Sequence, residues 1–402
     1  MRVLHIIEGL SPKAGGPTRS VKGLTTALAR QGVDVFLFSH SPLHDWPDAA
    51  PVHFQKGSVA GGVNASYELE QAIRSFAPDI IHLHGLWTNH CDMLVASKLK
   101  IPIVLSPRGM LDPWALSVKR WKKWLAMLLY QRRDLKSVSA FHATAELEAN
   151  NIRAQGFSQP IIISPNGIEE PSEKSSFCHK HCIAESKNHT AIFMGRLHPG
   201  KGLITLAEAW ARIKPKNWTM RIVGPDNCGH KSEILAKLDE LGVSYSDVKD
   251  CILENSSGGR MQRTSWEFVD MVDDKVKWQE YASADLLIHP SVSENFGITI
   301  AEGLASGLPV ICTKGTPWKD VEDNDCGCWI DQGVDALTQA LSRVFSFSPS
   351  QLSALGANGR RLIKRKYTWT TAVKPLLIAY ERLIETSRKA NKPINIGGDN
   401  VQ

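Results

Sequence analysis

No stretch of this chain approaches the roughly 20 consecutive apolar residues that a membrane-spanning helix needs. That excludes a helical membrane protein. Nor does the chain open on a secretory leader. Met1-Arg-Val-Leu-His-Ile-Ile-Glu8 offers one charge and a short apolar run, with glycine and proline following at once. It reads as a first buried strand, and the expected location is cytoplasmic. Cysteine is sparse, eight in 402 residues, which does not make a disulfide scaffold and suits reduced thiols. Excess charge is small. A formal net charge of +6 is too weak an excess for a nucleic-acid binder, yet compatible with anionic substrates or an anionic membrane face. The first loop, Glu8-Gly-Leu-Ser-Pro-Lys-Ala-Gly15-Gly16, lacks Gly-x-Gly-x-x-Gly, which argues against an NAD-dependent oxidoreductase. No short internal repeat is present.

What is present is alternation. With 43% hydrophobic and 22% charged residues, the composition is that of a globular protein, and 402 residues suit two domains. In the first half, strands are expected at Val3–Ile7, Asp34–Ser39, Ile80–His84, Pro102–Leu105, Ala140–Ala143 and Ile161–Ser164. Helical spacing separates the earlier ones at Thr18–Gln31, Tyr67–Phe76 and Met93–Leu99. The pattern restarts with strands at Thr190–Met194, Thr219–Val223, Ala284–His289, Pro309–Cys312 and Gly327–Ile330. A helix at Leu203–Arg212 follows the first of these. The fold class is α/β, with two Rossmann-like, doubly wound parallel-sheet domains. The expected division is 1–170, then 171–368, then a helix within 369–390 packing back on the first domain, then a disordered tail, 391–402. Asn227–Ser265 reads as a polar insertion carrying one helix.

Chemistry concentrates in Ser291-Val-Ser-Glu294-Asn295-Phe296-Gly297-Ile-Thr-Ile-Ala-Glu302. One glutamate lies in a loop between strand and helix, and the other is expected about two turns into the helix. Such a loop aims free backbone N–H groups and a positive dipole end at its ligand. Upstream, Gly195-Arg196-Leu-His-Pro-Gly200-Lys201-Gly202 also links a strand to a helix, and its two cations suit a diphosphate. It is not a P-loop, because no Ser or Thr follows the lysine. The bland alternative is an ordinary tight turn with solvated charges. Phosphate-binding loops combined with hydroxyl-binding carboxylates describe a nucleotide-sugar.

With its Glu-x7-Glu spacing, the Gly195-Arg196 turn, Pro290-Ser-x-x-Glu294-x-Phe-Gly297-x4-Glu302-Gly-x-Ala-x-Gly307 and Ser164-Pro-Asn-Gly-Ile168, the chain resembles family 4 of the retaining glycosyltransferases over roughly residues 1–390. The resemblance implies the GT-B fold, in which the two domains face each other across a cleft. It also implies transfer from an NDP-sugar donor to a saccharide or lipid-linked saccharide acceptor, with no cofactor and no metal. By the same resemblance, Arg196 and Lys201 hold the diphosphate and Glu302 the ribose. Glu294, with the N–H groups of Asn295, Phe296 and Gly297, contacts the transferred sugar and phosphate. Gly15, Gly16, Gly195 and Gly224 line the donor. The implied setting is bacterial surface polysaccharide assembly. The alternative on the same fold is a nucleotide-sugar epimerase.

Where family members often carry a histidine, this chain reads Ile103-Val-Leu-Ser-Pro-Arg108. Arginine cannot serve as a base but can orient a sugar or a phosphate. His84, in His82-Leu-His84, lies at the end of the preceding strand and reads as structural or as a cleft residue. Trp114–Asp134 is basic, aromatic and amphipathic. Either it packs its apolar face on the domain or it lies on an anionic inner membrane face. Cys178-His-Lys-His181-Cys182 has metal-ligand residue types, but is too compressed to close a tetrahedral site.

Overall fold

The computed structural model describes residues 1–10, 16–41, 52–58, 63–87, 90–169, 188–226, 228–247 and 265–390. Gly15, the Cys178–Cys182 run and the tail 391–402 lie outside them. The chain forms two units. One holds Met1–Gly167 and the chain from Trp369 onward, and the other holds Ile168–Thr368.

Unit 1 is built on β1 (Arg2–Ile7), β2 (Asp34–Ser39), β3 (Val52–Lys56), β4 (Ile80–His84), β5 (Ile103–Ser106), β6 (Ala140–Ala143) and β7 (Ile161–Ile163). Their order in the sheet is β3-β2-β1-β4-β5-β6-β7, every pair parallel. The central strands are buried along nearly their whole length, as expected when helices cover both faces. One face holds Leu4, Ile6, Leu83 and Leu105. On the other, Val3 and Val104 meet Leu24 and Leu28 of the helix Gly16–Arg30. Leu376, Tyr380 and Ile384 of the helix Lys374–Ala390 join that second face.

Unit 2 carries β8 (His189–Met194), β9 (Trp218–Val223), β10 (Tyr245–Asp247), β11 (Trp266–Val269), β12 (Leu286–His289), β13 (Val310–Thr313) and β14 (Gly327–Ile330). These are ordered β10-β11-β9-β8-β12-β13-β14, again all parallel. Along β8, Ala191 and Phe193 enter one core while Ile192 and Met194 enter the other, the two-residue alternation of a strand covered on both faces. Two parallel, doubly wound sheets are the GT-B architecture.

Three strands depart from the sequence reading. β3 was not anticipated. Nor was the expected insertion 227–265 only an excursion, because β10 lies inside it, β11 follows directly, and the pair forms the edge of the second sheet. Its helix spans His230–Glu240. A further unanticipated helix, Asp274–Ala282, precedes β12. Residues 113–137 are not one helix. Short segments Pro113–Ser117, Arg120–Ala126 and Arg132–Ser137 flank a π-turn, Met127–Gln131, and a left-handed Lys119 breaks the first junction.

Candidate functional site

The order of a doubly wound sheet reverses at one point, and ligands bind beyond the carboxyl ends of the two strands there. In unit 2 those strands are β8 and β12. They deliver the segments 195–202 and 290–297. The two loops are stitched together. The Val292 N–H donates to the Gly200 carbonyl at 2.9 Å. Gly202, at φ 71°, lies so close to Pro290 that a Cβ there would sit 2.2 Å from its carbonyl oxygen. Lys201 Nζ is bonded to Glu294 Oε1. The same oxygen accepts from His289 Nε2 at 2.9 Å and Ser291 Oγ at 3.0 Å. With its Nε2–H given to Glu294, His289 uses Nδ1 to accept from Thr299 Oγ1 at 3.2 Å. Burial opposes ionisation of Glu294, but Lys201 and His289 more than offset it and hold its carboxyl well below the usual range. Burial likewise keeps His289 neutral at physiological pH, against the pull of Glu294.

Around this pair the remaining predicted groups take distinct positions. Arg196 is exposed, with no ion-pair partner among the described residues. The N–H groups of Phe296 and Gly297 have no backbone partner there either. The Phe296 side chain is buried beside Trp318, whose indole donates to the Phe296 carbonyl. Asn295 stands half-exposed in the same loop. Gly195 and Gly224 are in mutual backbone contact. A Cβ on Gly224 would fall 2.0 Å from the Gly195 carbonyl oxygen, so glycine there lets the loops after β8 and β9 approach. Gly16 begins the first helix of unit 1 facing open space.

Glu302 is the fifth residue of the helix Ile298–Ser306, a little over one turn in rather than two. Its partners differ from those of Glu294. Lys277 Nζ reaches Oε1 at 2.7 Å and the Tyr281 hydroxyl reaches Oε2 at 3.0 Å, all three residues being buried. Both donors come from the unanticipated helix Asp274–Ala282, which is why the sequence reading missed them.

In unit 1 the corresponding switch lies between β1 and β4. There the strands carry a buried polar row: His5, His82, His84, Ser106 and His142. Register sets it, since His5 pairs with His82 and His84 with Ser106. His142 Nε2 bonds the Ser164 carbonyl at 2.9 Å, so that nitrogen carries the proton. Its Nδ1 therefore accepts from Ser106 Oγ (2.8 Å), and Ser106 Oγ accepts from His82 Nε2 (2.7 Å). His82 Nδ1 then accepts from the Tyr380 hydroxyl (2.5 Å). Arg108, left-handed at φ 56°, donates to His84 Nδ1 at 3.1 Å and to Asn166 Oδ1 at 3.3 Å. One ring nitrogen from each of His5, His82 and His84 lies within 4.8 Å of the other two. Yet only His5 Nε2 lacks a hydrogen bond, and a guanidinium adjoins the trio, which is no environment for a metal cation. Of this network the sequence reading singled out Arg108, His82 and His84. A lone polar residue on each apolar strand was the available signal for the others; Tyr380 gave none.

The basic aromatic segment is not packed away. Trp121, Trp124, Leu128 and Leu129 are 66, 64, 66 and 67% exposed. The alternative that this face packs on the domain is overturned. No helix among the described residues is long and apolar enough to cross a membrane.

Two family models match the chain: glycosyltransferase family 4 over residues 14–170 and glycosyl transferases group 1 over residues 188–346. The chain is 32% identical over 328 residues to an MMP alpha-(1->4)-mannosyltransferase of Mycolicibacterium hassiacum, a match covering 76% of this chain and 71% of the relative. It belongs to glycosyltransferase family 4. A D-inositol 3-phosphate glycosyltransferase of Segniliparus rotundus is 24% identical over 400 residues, covering 91% of this chain and 84% of that one. Sucrose-phosphate synthase from Thermosynechococcus elongatus shares the fold, with a TM-score of 0.70 at 18% identity, covering 96% of this chain and all of that one. As a family 4 glycosyltransferase, the chain transfers a sugar from a nucleotide-sugar donor.

Proposed function

We propose that the donor is an NDP-hexose held by the loops after β8 and β12, and that transfer retains anomeric configuration without a metal. The observation that carries this is the stitched pair of loops at the switch point of unit 2. It joins the loop of Arg196 and Lys201 to the loop of the Phe296 and Gly297 N–H groups, beyond the carboxyl ends of β8 and β12. Cations and fixed dipoles of this kind stabilise a departing diphosphate. Glu302 grips the ribose diol and Glu294 the transferred sugar. The acceptor hydroxyl attacks on the face from which the diphosphate leaves, and a departing phosphate oxygen takes its proton.

The acceptor is a saccharide or lipid-linked saccharide of bacterial surface polysaccharide assembly, met at an anionic membrane surface. Trp121 and Trp124 stand exposed among Lys119, Arg120 and Lys122, and this pairing of aromatic and basic groups supports that surface. A relative named as a mannosyltransferase is in keeping with a hexose donor.

The decisive experiment compares Glu302→Ala with Glu294→Ala in NDP binding and in turnover. Loss of Glu302 weakens free NDP about tenfold or more, whereas loss of Glu294 chiefly lowers kcat. Equal loss of NDP affinity in both would remove the division of roles. Transfer unaffected by Arg196→Ala and Lys201→Ala would remove the donor site. Trp121→Ser with Trp124→Ser should abolish sedimentation with anionic vesicles while leaving transfer to a water-soluble acceptor intact.

A further inference from the structure

Among the described residues, no carboxylate accepts a hydrogen bond from the Arg108 guanidinium. It donates to two acceptors, and both are neutral. Arginine only donates, so His84 Nδ1 must accept and the proton of His84 sits on Nε2. That proton is given to His5 Nδ1 at 2.9 Å, which leaves His5 with its proton on Nε2. The second acceptor, Asn166, is an uncharged amide.

No other member of the network supplies a negative charge. Burial, aided by Arg108, pushes His5 and His142 down to about 3, and His82 and His84 are also held well below their usual range by burial. The Tyr380 phenol is buried and raised, so it stays protonated. Glu148 is the carboxylate whose field reaches Arg108. Yet it spends Oε1 on the Gly109 N–H (2.8 Å) and Oε2 on the Thr144 N–H and hydroxyl (2.8 and 3.0 Å). Among the described residues no carboxylate ion-pairs with Arg108, and its Nε is buried with no partner.

The network at the ends of β4 and β5 therefore carries a positive charge that no described anion meets by hydrogen bond, Glu148 acting on it only through its field. Burial lowers the Arg108 guanidinium only to about 10, so the charge persists at neutral pH. Arg108 is half-buried, and holding a cation partly out of water beside neutral partners is unfavourable until an anion arrives. The left-handed backbone at Arg108 is a further strain that the site sustains.

We infer that Arg108 is the receptor for an anionic group of a substrate, a phosphate or a carboxylate, bound at the C-terminal ends of β4 and β5 in unit 1. The inference rests on the glycosyltransfer reading only for which molecules are substrates; anion binding at Arg108 stands apart from it. Five N–H donors in a fixed fork, two of them already used, leave a face suited to two oxygens of one anion.

The test uses the full chain and removes the other anion site first. In an Arg196→Ala, Lys201→Ala background, inorganic phosphate and D-glucuronate are titrated at constant ionic strength, with D-glucose as the neutral control. Phosphate and glucuronate should raise the thermal midpoint and glucose should not. Adding Arg108→Gln should weaken both anions at least about tenfold, and Arg108→Lys, which keeps the charge but not the fork, should weaken them less. Circular dichroism without ligand shows whether each variant folds. If Arg108→Gln does not fold, the Arg108→Lys comparison decides: unchanged anion affinity in it overturns the inference. So does the absence of any anion effect in the starting background, or indifference to Arg108→Gln.

A second arm locates the anion. In the wild-type protein saturated with UDP or GDP, glucuronate that still binds through Arg108 places the anion on the second substrate. Exclusion of glucuronate by the nucleotide places it on the donor. Arg108-dependent phosphate binding in a protein that transfers from no NDP-sugar would sink the glycosyltransfer reading and leave this inference standing.

Discussion

Lys277 illustrates how one residue makes another usable. Glu302 sits 4% exposed, and an ionised carboxylate at such depth needs donors. Lys277 and Tyr281 supply one to each oxygen, leaving lone pairs for the hydroxyls of a ligand. Replacing Lys277 with methionine removes the positive half of a buried pair. The expected cost is about 3–5 kcal/mol in urea unfolding, with weaker NDP binding in any fraction that stays folded. Adding Glu302→Leu to that variant should restore part of the stability, and a double-mutant cycle with no coupling would show that the pair does not act as one. Glu302 was legible in the sequence because its spacing from Glu294 is distinctive. Lys277 was not, for a physical reason. The helix Asp274–Ala282 buries Lys277 and Tyr281, four residues apart, so its inward stripe is polar and gives no apolar 3.6-residue period to read.

At the scale of elements, the site depends on two loops keeping their distance. Gly202 holds a left-handed φ of 71° against the Pro290 carbonyl. Gly202→Ala should cost about 1–2 kcal/mol from the backbone alone, and more from pushing the loops apart. Because Lys201 and Glu294 sit on opposite loops, kcat should fall with it. A variant of unchanged stability and turnover would show that the contact is slack. The histidine row on β1, β4 and β6 makes a pH prediction. His5 and His142 titrate near 3 in the folded chain and near 6.5 when unfolded. Between those values the unfolded chain binds more protons, so stability is full above about pH 6.5 and declines as pH falls. Each group contributes up to about 1.4 kcal/mol per pH unit. Urea titrations between pH 7 and 5 should show unit 1 weakening; a flat profile would mean that these imidazoles are not buried neutral. The strands bearing this row were legible, with Ile80–His84 and Ala140–Ala143 found to the residue, because strands covered on both faces read as apolar runs. β10 and β11 were not. They are three and four residues long, at a sheet edge, and five of their seven positions are only partly buried.

At the scale of the molecule, the chain leaves unit 1 after Gly167 and returns at Trp369. The returning helix is part of the first core, not an appendage: Leu376, Tyr380 and Ile384 pack against Val3, Leu28 and Val104, and Tyr380 caps the histidine chain. Each unit thus has its own sheet and its own cores, so unfolding need not be a single transition. The proposed donor groups, Arg196, Lys201, Glu294 and Glu302, all belong to unit 2. A ligand stabilises what binds it, by about 2.7 kcal/mol at a hundred times its Kd. Calorimetry with saturating UDP or GDP should therefore raise the transition of unit 2 selectively. Greater acid sensitivity tells unit 1 apart, since lowering the pH should move its transition, with four imidazoles held low (His5, His82, His84 and His142), further than that of unit 2, with His198 and His289, and nucleotide should not move it. If the nucleotide raised the acid-sensitive transition instead, the donor would be held by the unit that carries Arg108, and the assignment of the two strand-end sites would have to be exchanged.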